Sequence, residues 1–147
     1  MKAVWSSFLL GEIDFIFLIY GLVFFYLAAV TLLVARRNHD LPWAWLAGFG
    51  LLHGLHEWVE WIAMAWPGRP LLQYSSLALL AGSFALLAEF GRRALGRLRG
   101  RPLSPVIPIG LLALALSGAG NGGLGLQMSI RWAGGWLGGL LAAGAIA

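Results

Sequence analysis

The chain of 147 residues is 60% hydrophobic and 11% charged, whereas soluble domains average roughly 45–50% and about 25%. A soluble domain of this length could not bury so much apolar surface, so we predict an integral membrane protein. The absence of cysteine excludes disulfides and thiolate sites. The net charge of +4 comes from arginines that flank apolar segments, which indicates contact with anionic lipid headgroups and not with nucleic acid.

Five apolar segments are candidates for transmembrane helices, because about 20 apolar residues cross a bilayer as a helix. Two arginines end the first segment, prolines flank the second and third, and a proline-rich stretch opens the fourth. We therefore predict an all-α fold, an integral membrane helical bundle that forms a single domain over residues 1–147. The predicted spans are residues 13–35, 43–66, 71–91, 106–120 and 131–147.

The distribution of arginine predicts the orientation of the bundle. Arg36 and Arg37 follow the first span, and five more arginines lie between positions 92 and 101. The positive-inside bias then places the N-terminus outside and the C-terminus in the cytoplasm. The last span ends without a polar flank, so we expect the chain to be the membrane portion of something longer. The opposite side of the membrane has only Lys2, Arg69 and Arg131.

The second predicted span carries four titratable side chains on one face. At about 100° per residue they fall within an arc of about 100°, so two imidazoles and two carboxylates form a stripe. Insertion scales assign a charged Asp, Lys or Arg at mid-membrane a cost of roughly 2.5–3.5 kcal/mol, so this stripe should not face lipid. It should meet protein partners, water or a ligand. The polar stripe consists of His53, His56, Glu57 and Glu60.

Neighbouring spans offer hydroxyl groups at the depth of the polar stripe. If the second and third spans are antiparallel, Ser83 is the hydroxyl group nearest to His53. Counting the first span from the same side puts Tyr20 near Glu60 and Tyr26 near His53. Tyr20 and Tyr26 therefore join the polar stripe as candidate ligand-binding or sensing residues.

Three interpretations of the polar stripe stay open. It is a structural hydrogen-bond network that ties helices together, or a metal site with all four residues as ligands, since imidazole and carboxylate groups on helical faces bind metal ions. A haem held by two histidines is less favoured, because the third histidine, His39, falls in a predicted loop. The last interpretation is a site that responds to protons or to a ligand, since buried histidine and glutamate can change charge near neutral pH.

Glycine provides a second pattern, in the last predicted span. Gly134, Gly135, Gly138 and Gly139 form two overlapping small-xxx-small frames, which let another helix approach closely. Packing within the bundle and homodimerisation explain these frames equally well. The glycine-rich residues 118–125 precede no strand and helix pair, so we interpret them as a flexible connection and not as a phosphate-binding loop.

One stretch of the chain is similar to a known family. The run Ile19-Tyr20-Gly21-Leu22-Val23-Phe24-Phe25, a short basic loop and the run from Leu46 to Trp58 resemble the N-terminal multi-helix membrane region of bacterial sensor histidine kinases and diguanylate cyclases. The resemblance covers residues 15–61. It implies an input module of the bacterial inner membrane, whose helix rearrangement reaches a cytoplasmic output domain, as in two-component signalling. It implies no particular ligand.

Two classes of function follow from these observations. The first is a membrane-embedded sensory input module with the polar stripe as its sensing or cofactor site. The second is a small accessory or structural subunit of a larger membrane complex, redox or photosynthetic. The sequence has no nucleophile and base pair, nucleotide loop or metalloprotease signature, so we predict neither catalytic residues nor enzymatic activity. The cofactor stays open, with a metal ion favoured over haem, and the expected partners are the lipid bilayer and a second copy or a larger assembly.

Overall fold

The fold is a bundle of helices, and the all-α prediction is confirmed. The computed structural model describes residues 2–146, with side chains from residue 15 onward except at positions 108, 111, 112, 115 and 119. No strand occurs within residues 2–146. The helices are α1 (Lys2–Arg37), α2 (Trp43–Ala65), α3 (Pro70–Leu98), α4 (Val106–Leu116), α5 (Gly122–Ile130) and α6 (Gly138–Ile146). A 3-10 turn, Ser117–Asn121, precedes α5, and a π-helical segment, Arg131–Leu137, joins α5 to α6.

Prolines and glycines set the ends of the long helices. Pro42 precedes α2, and Pro70 is the first residue of α3, where its missing N–H would lack a helical partner in any case. Gly68 and Gly100 have positive φ angles of 80° and 62°, a backbone conformation that glycine adopts without steric cost. These two glycines allow the tight reversals that follow α2 and α3.

The long helices form a row in which α2 separates α1 from α3. Within the part of the chain that the structure describes, α1 packs against α2 alone, while α3 contacts α2 on one side and α6 on the other. The main apolar core is formed by residues of α2, α3 and α6. It consists of Leu46, Phe49, Leu87, Phe90, Ala94, Ala142 and Ala145.

The surface of the bundle is apolar, whereas polar groups lie in its interior. Phe15, Val23 and Leu33 of α1 are exposed, while His56 and Ser83 are fully buried. A soluble protein of this kind would expose a large aggregation-prone surface. Two helical segments, Phe15–Arg37 and Pro70–Leu98, are long and apolar enough to cross a membrane. The fold is therefore compatible with membrane spanning.

Helix α4 begins at Val106 as predicted, but two other boundaries in the C-terminal part of the chain differ from the sequence pattern. Helix α4 has only 11 residues, and the helical run that includes α5 begins at Gly122 instead of near Arg131. Gly122, with a φ angle of 75°, makes the turn that starts this run. The expected flexible connection at residues 118–125 is instead a 3-10 turn followed by helix, because Gly118 lies directly against the backbone of Gly125. As a result, Arg131 lies inside a helix.

Candidate functional site

The polar stripe lies on the face of α2 that is turned toward α3. His53, His56 and Glu57 are buried, and Glu60 is half-buried nearer the end of the helix. Their spacing creates two i,i+4 pairs, His53 with Glu57 and His56 with Glu60, each on one side of the stripe. Each pair meets one serine of α3.

The pair nearer the end of α2 is organised by Ser76. The Ser76 hydroxyl donates to Oε1 of Glu60, so its oxygen is left to accept from Nδ1 of His56 at 3.1 Å. The Ser76 carbonyl oxygen is also 3.1 Å from that nitrogen. His56 therefore carries its proton on Nδ1, and the neutral ring keeps a lone pair on Nε2. Among the described residues, buried Nε2 of His56 has no hydrogen-bond partner.

The other pair, His53 with Glu57, meets Ser83 through His53 alone. The Ser83 hydroxyl donates to the carbonyl oxygen of Leu80 at 2.8 Å, so at 3.0 Å it accepts from Nδ1 of His53. Nε2 of His53 then has a lone pair in the neutral ring, yet it faces Oε1 of Glu57 at 3.6 Å. This distance is too long for a hydrogen bond, and two acceptors do not attract each other. A proton on either the imidazole or the carboxyl group would make the contact favourable.

Aromatic rings enclose His53 on three sides. The ring centroids of Phe24, Phe49 and Phe84 lie 4.4, 5.2 and 5.3 Å from that of His53. The three phenylalanines come from α1, α2 and α3, so all three long helices contribute to the enclosure. His53 therefore lies in an apolar environment, where an unpaired charge is costly.

A cavity of about 570 Å³ adjoins the polar stripe at the end where Glu60 lies. Glu60 and Ser76 form part of its wall, together with Gln73 and Tyr74 of α3 and Gln127 of α5. Nε2 of Gln127 donates to Oε1 of Glu60 at 3.3 Å. The cavity thus connects the hydrogen-bonded chain of Glu60, Ser76 and His56 with the surface of the bundle.

Three residues of the site were missed by reasoning from the sequence, namely Ser76, Gln127 and Arg131. Arg131 lies close enough for its charge to act on His53, His56 and Glu57. Gln127 and Arg131 are four residues apart in one helical run, so they share a face. That spacing is a signal in the sequence, but the predicted start of the last span at residue 131 concealed it. The π-helical segment also begins at Arg131, and such segments occur often at functional sites.

Tyr20 and Tyr26 lie away from the polar stripe. Their side chains are 56% and 73% exposed. Helix α1 approaches α2 through Gly21 and Phe25, which lie beside Gly54 and Trp58. At about 100° per residue, this contact turns both tyrosines to other faces of α1. The structure therefore does not bring them to the proposed sensing site.

The metal hypothesis gains no support from the geometry. Over the described residues, no three His, Asp or Glu side chains come together in a way that would hold a metal ion. The physical reason is the division of the stripe, since His56 and Glu60 are bound to Ser76, while His53 is bound to Ser83.

The predicted glycine frames divide between two environments. A Cβ atom on Gly134 would lie 2.5 Å from Cβ of Phe84, and one on Gly138 would lie 3.6 Å from Leu87. These two glycines therefore pack against α3 within the chain. Gly135 lies beside the tip of the Phe84 ring, and a Cβ atom on Gly139 would have no described heavy atom within 4 Å. Homodimerisation through Gly135 and Gly139 stays a prediction.

Comparisons with known proteins leave the function to be argued from the site. Neither a scan of protein-family models nor searches of curated proteins and of solved structures gave a match.

Proposed function

We propose that this chain is a sensory input module of about five helices in the bacterial inner membrane, and that protonation of the polar stripe is its signal. A change in protonation would alter the contact between α2 and α3, and the last helix would pass the rearrangement to a cytoplasmic output domain. The observation that supports the proposal best is the buried approach of His53 Nε2 to Glu57 Oε1 at 3.6 Å, where the two groups attract each other only if one of them carries a proton.

The distribution of side chains supports a position in lipid. The exposed faces are apolar, and the titratable groups of α2 are turned inward. Helix α2 has 23 residues, which at 1.5 Å per residue gives about 35 Å, enough to cross about 30 Å of hydrocarbon. The helical run from Gly122 to Ile146 is similarly long. Helix α4 is the short member, and we propose that it enters the membrane together with the 3-10 turn.

The positions of the arginines support an orientation with the N-terminus outside. Arg97 donates to the carbonyl oxygens of His39 and Asp40, so the α1–α2 loop and the end of α3 lie at the same end of the bundle. Both basic segments are therefore on one side, which the positive-inside bias makes the cytoplasmic side. The cavity beside Glu60 adjoins the opposite end of α2, so the site would sample the outside.

Protonation would disturb the contact between α2 and α3 for an electrostatic reason. With one proton, the contact of His53 with Glu57 has no net charge. A second proton leaves an imidazolium beside a carboxylic acid, and the loss of the proton leaves a carboxylate facing a lone pair. Either state is costly within the phenylalanine walls, so movement of α2 relative to α3, or entry of water, would relieve it. The other titratable or charged groups nearby are His56, Glu60 and Arg131.

Histidine-selective 15N labelling tests the proposal, because the chain has only three histidines. In lipid nanodiscs, we expect the imidazole signals of His53 to change with pH. In Glu57→Gln, the pH midpoint of this change should shift, or the change should disappear. A spin-label pair on α2 and α3 is simple to introduce into a chain without cysteine. The distance between the labels should change over the same pH range.

Two controls make this experiment decisive. Glu89→Gln removes a carboxyl group near the other end of α3 and should leave the His53 transition unchanged, and His39 provides a reference signal from the α1–α2 loop. If His53 kept one tautomer and the label distance stayed constant at every pH at which the protein is folded, the sensing proposal would be wrong. The polar stripe would then be a structural network, as an accessory subunit would need.

A further inference from the structure

The end of α3 forms a groove with the chain segment that follows it. After Gly100 the chain folds back, and the Arg101 N–H donates to the Gly96 carbonyl oxygen at 3.0 Å. Gly96 permits this approach, because a Cβ atom there would lie 3.2 Å from the Arg101 carbonyl oxygen. The resulting arginine groove has a volume of about 420 Å³. Its main lining residues are Arg92, Arg93, Arg97, Arg101, Pro102 and Leu103.

The arginine groove carries an excess of positive charge. Four arginines line it, and Glu89 beside it forms salt bridges with Arg92 and Arg93. Four positive charges and one negative charge give a net charge of +3. Arg92 is fixed in place, since it also donates to the Leu103 carbonyl oxygen at 2.7 Å. Arg101 contributes only its backbone N–H to the described hydrogen bonds. Its guanidinium group is therefore free to bind an anion.

The floor of the groove is apolar, which distinguishes a lipid from a soluble anion. Pro102, Leu103 and the arginine side chains line the groove, and long arginine side chains can cover apolar surface with their methylene groups. Arg93 also lies over the ring of Trp45, 4.5 Å from its centroid. Tryptophan is enriched where a bilayer meets water, so the groove lies at the level of lipid headgroups if α3 spans the membrane.

We propose that the arginine groove binds an anionic glycerophospholipid, with the phosphodiester at the guanidinium groups and the glycerol and first acyl carbons on the apolar floor. Planar guanidinium groups bind phosphate oxygens through paired hydrogen bonds. Zwitterionic lipids carry the same phosphodiester with an ammonium group that offsets its charge. The groove should therefore prefer lipids with a net negative headgroup.

Native mass spectrometry of the full chain released from detergent tests this proposal. We expect phosphatidylglycerol to remain bound more often than phosphatidylethanolamine, and each arginine removed from the groove to weaken binding roughly fivefold. The variants are Arg101→Gln, which leaves the described side-chain contacts intact, and the double variant Arg97→Gln/Arg101→Gln. The matched control is Arg36→Gln/Arg37→Gln, which removes two charges from the same end of the bundle but outside the groove.

The outcomes separate a groove from a general surface charge. A loss of preference in the groove variants, with the control unchanged, supports the proposal. Equal losses in the groove double variant and in the control would overturn it, because the effect would then be one of overall charge. Displacement of the lipid by millimolar inorganic phosphate would also overturn it, since the groove would then be a site for a soluble anion. Circular dichroism of each variant checks that the helices are intact.

Discussion

Ser76 joins His56 and Glu60, the two residues that form one side of the polar stripe. It donates to Glu60 and accepts from His56, so one hydroxyl group connects two titratable side chains of α2 with α3. The arrangement fixes the tautomer of His56, because the Ser76 hydroxyl proton is already donated to Glu60. A single substitution at this serine should therefore affect stability and histidine chemistry together.

We predict that Ser76→Ala lowers the free energy of unfolding in detergent by about 0.6 kcal/mol, and by no more than about 2 kcal/mol, the range found for hydrogen bonds between membrane helices. The His56 imidazole signals should change as well, because the ring loses one of its two partners. Ser75→Ala is the matched control, a half-buried serine on the same turn. Equal effects of the two substitutions would contradict the assigned role of Ser76.

At the scale of single residues, the sequence predicted the level of each residue along the bundle. It predicted the direction of the side chains only in part. Antiparallel counting predicted that Ser83 is the hydroxyl nearest to His53, and the 3.0 Å contact confirms it. The same counting put Tyr20 near Glu60 in depth, yet its side chain is exposed, because α1 is rotated by its contact with α2. Rotation about a helix axis depends on packing, which the hydrophobic pattern of α1 does not encode, since this helix is apolar all round.

Among whole elements, α1 and α2 approach each other closely at two glycines of α2. A Cβ atom on Gly50 would lie 2.8 Å from the Phe24 carbonyl oxygen, and one on Gly54 would lie 3.0 Å from the Gly21 carbonyl oxygen. Gly50 and Gly54 form a small-xxx-small frame that brings the two backbones together. The same contact holds Phe24 of α1 against the ring of His53.

We predict that Gly50→Ala separates α1 from α2 and destabilises the bundle by about 1–3 kcal/mol, the usual cost of overpacking. The cause is a contact with backbone atoms, which cannot rotate away. Gly48→Ala is the control, because its Cβ atom would meet only the flexible end of Leu86, at 3.1 Å. Unfolding in a denaturing detergent measures both variants, and a Gly50→Ala protein as stable as the control would contradict this view of the interface.

The existence of the long helices followed from composition, whereas the break between α4 and α5 did not. The sequence of the glycine-rich residues 118–125 indicates a flexible segment. In the structure, Gly118 and Gly125 allow a tight backbone contact, so this segment is ordered. This contact is between residues of two helical segments, so it depends on their packing. The displaced start of the last helical run in turn concealed Gln127 and Arg131 as neighbours of the polar stripe.

At the scale of the whole molecule, the two ends of the bundle differ in chemistry. One end has the arginine groove and the loop that Arg97 holds. The other end has the cavity beside Glu60, whose wall includes Gln73 of α3 and Gly123 of α5. The 3-10 turn at Ser117–Asn121, next to Gly123, therefore lies at the cavity end, and Ser104, next to Leu103, lies at the arginine end. This polarity makes the proposed topology directly testable.

The absence of native cysteine allows single-cysteine labelling of both ends without other changes. With a membrane-impermeant maleimide on intact spheroplasts, we predict that Asn121→Cys reacts at once and Ser104→Cys reacts only after permeabilisation. Both positions are exposed, so failure to react reports the membrane and not burial in the protein. The opposite pattern would invert the orientation and place the cavity beside Glu60 on the cytoplasmic side, where it would sample internal pH. Equal reaction at both positions before permeabilisation would show that the membrane does not separate the two ends, and the spanning bundle proposed above would then be wrong.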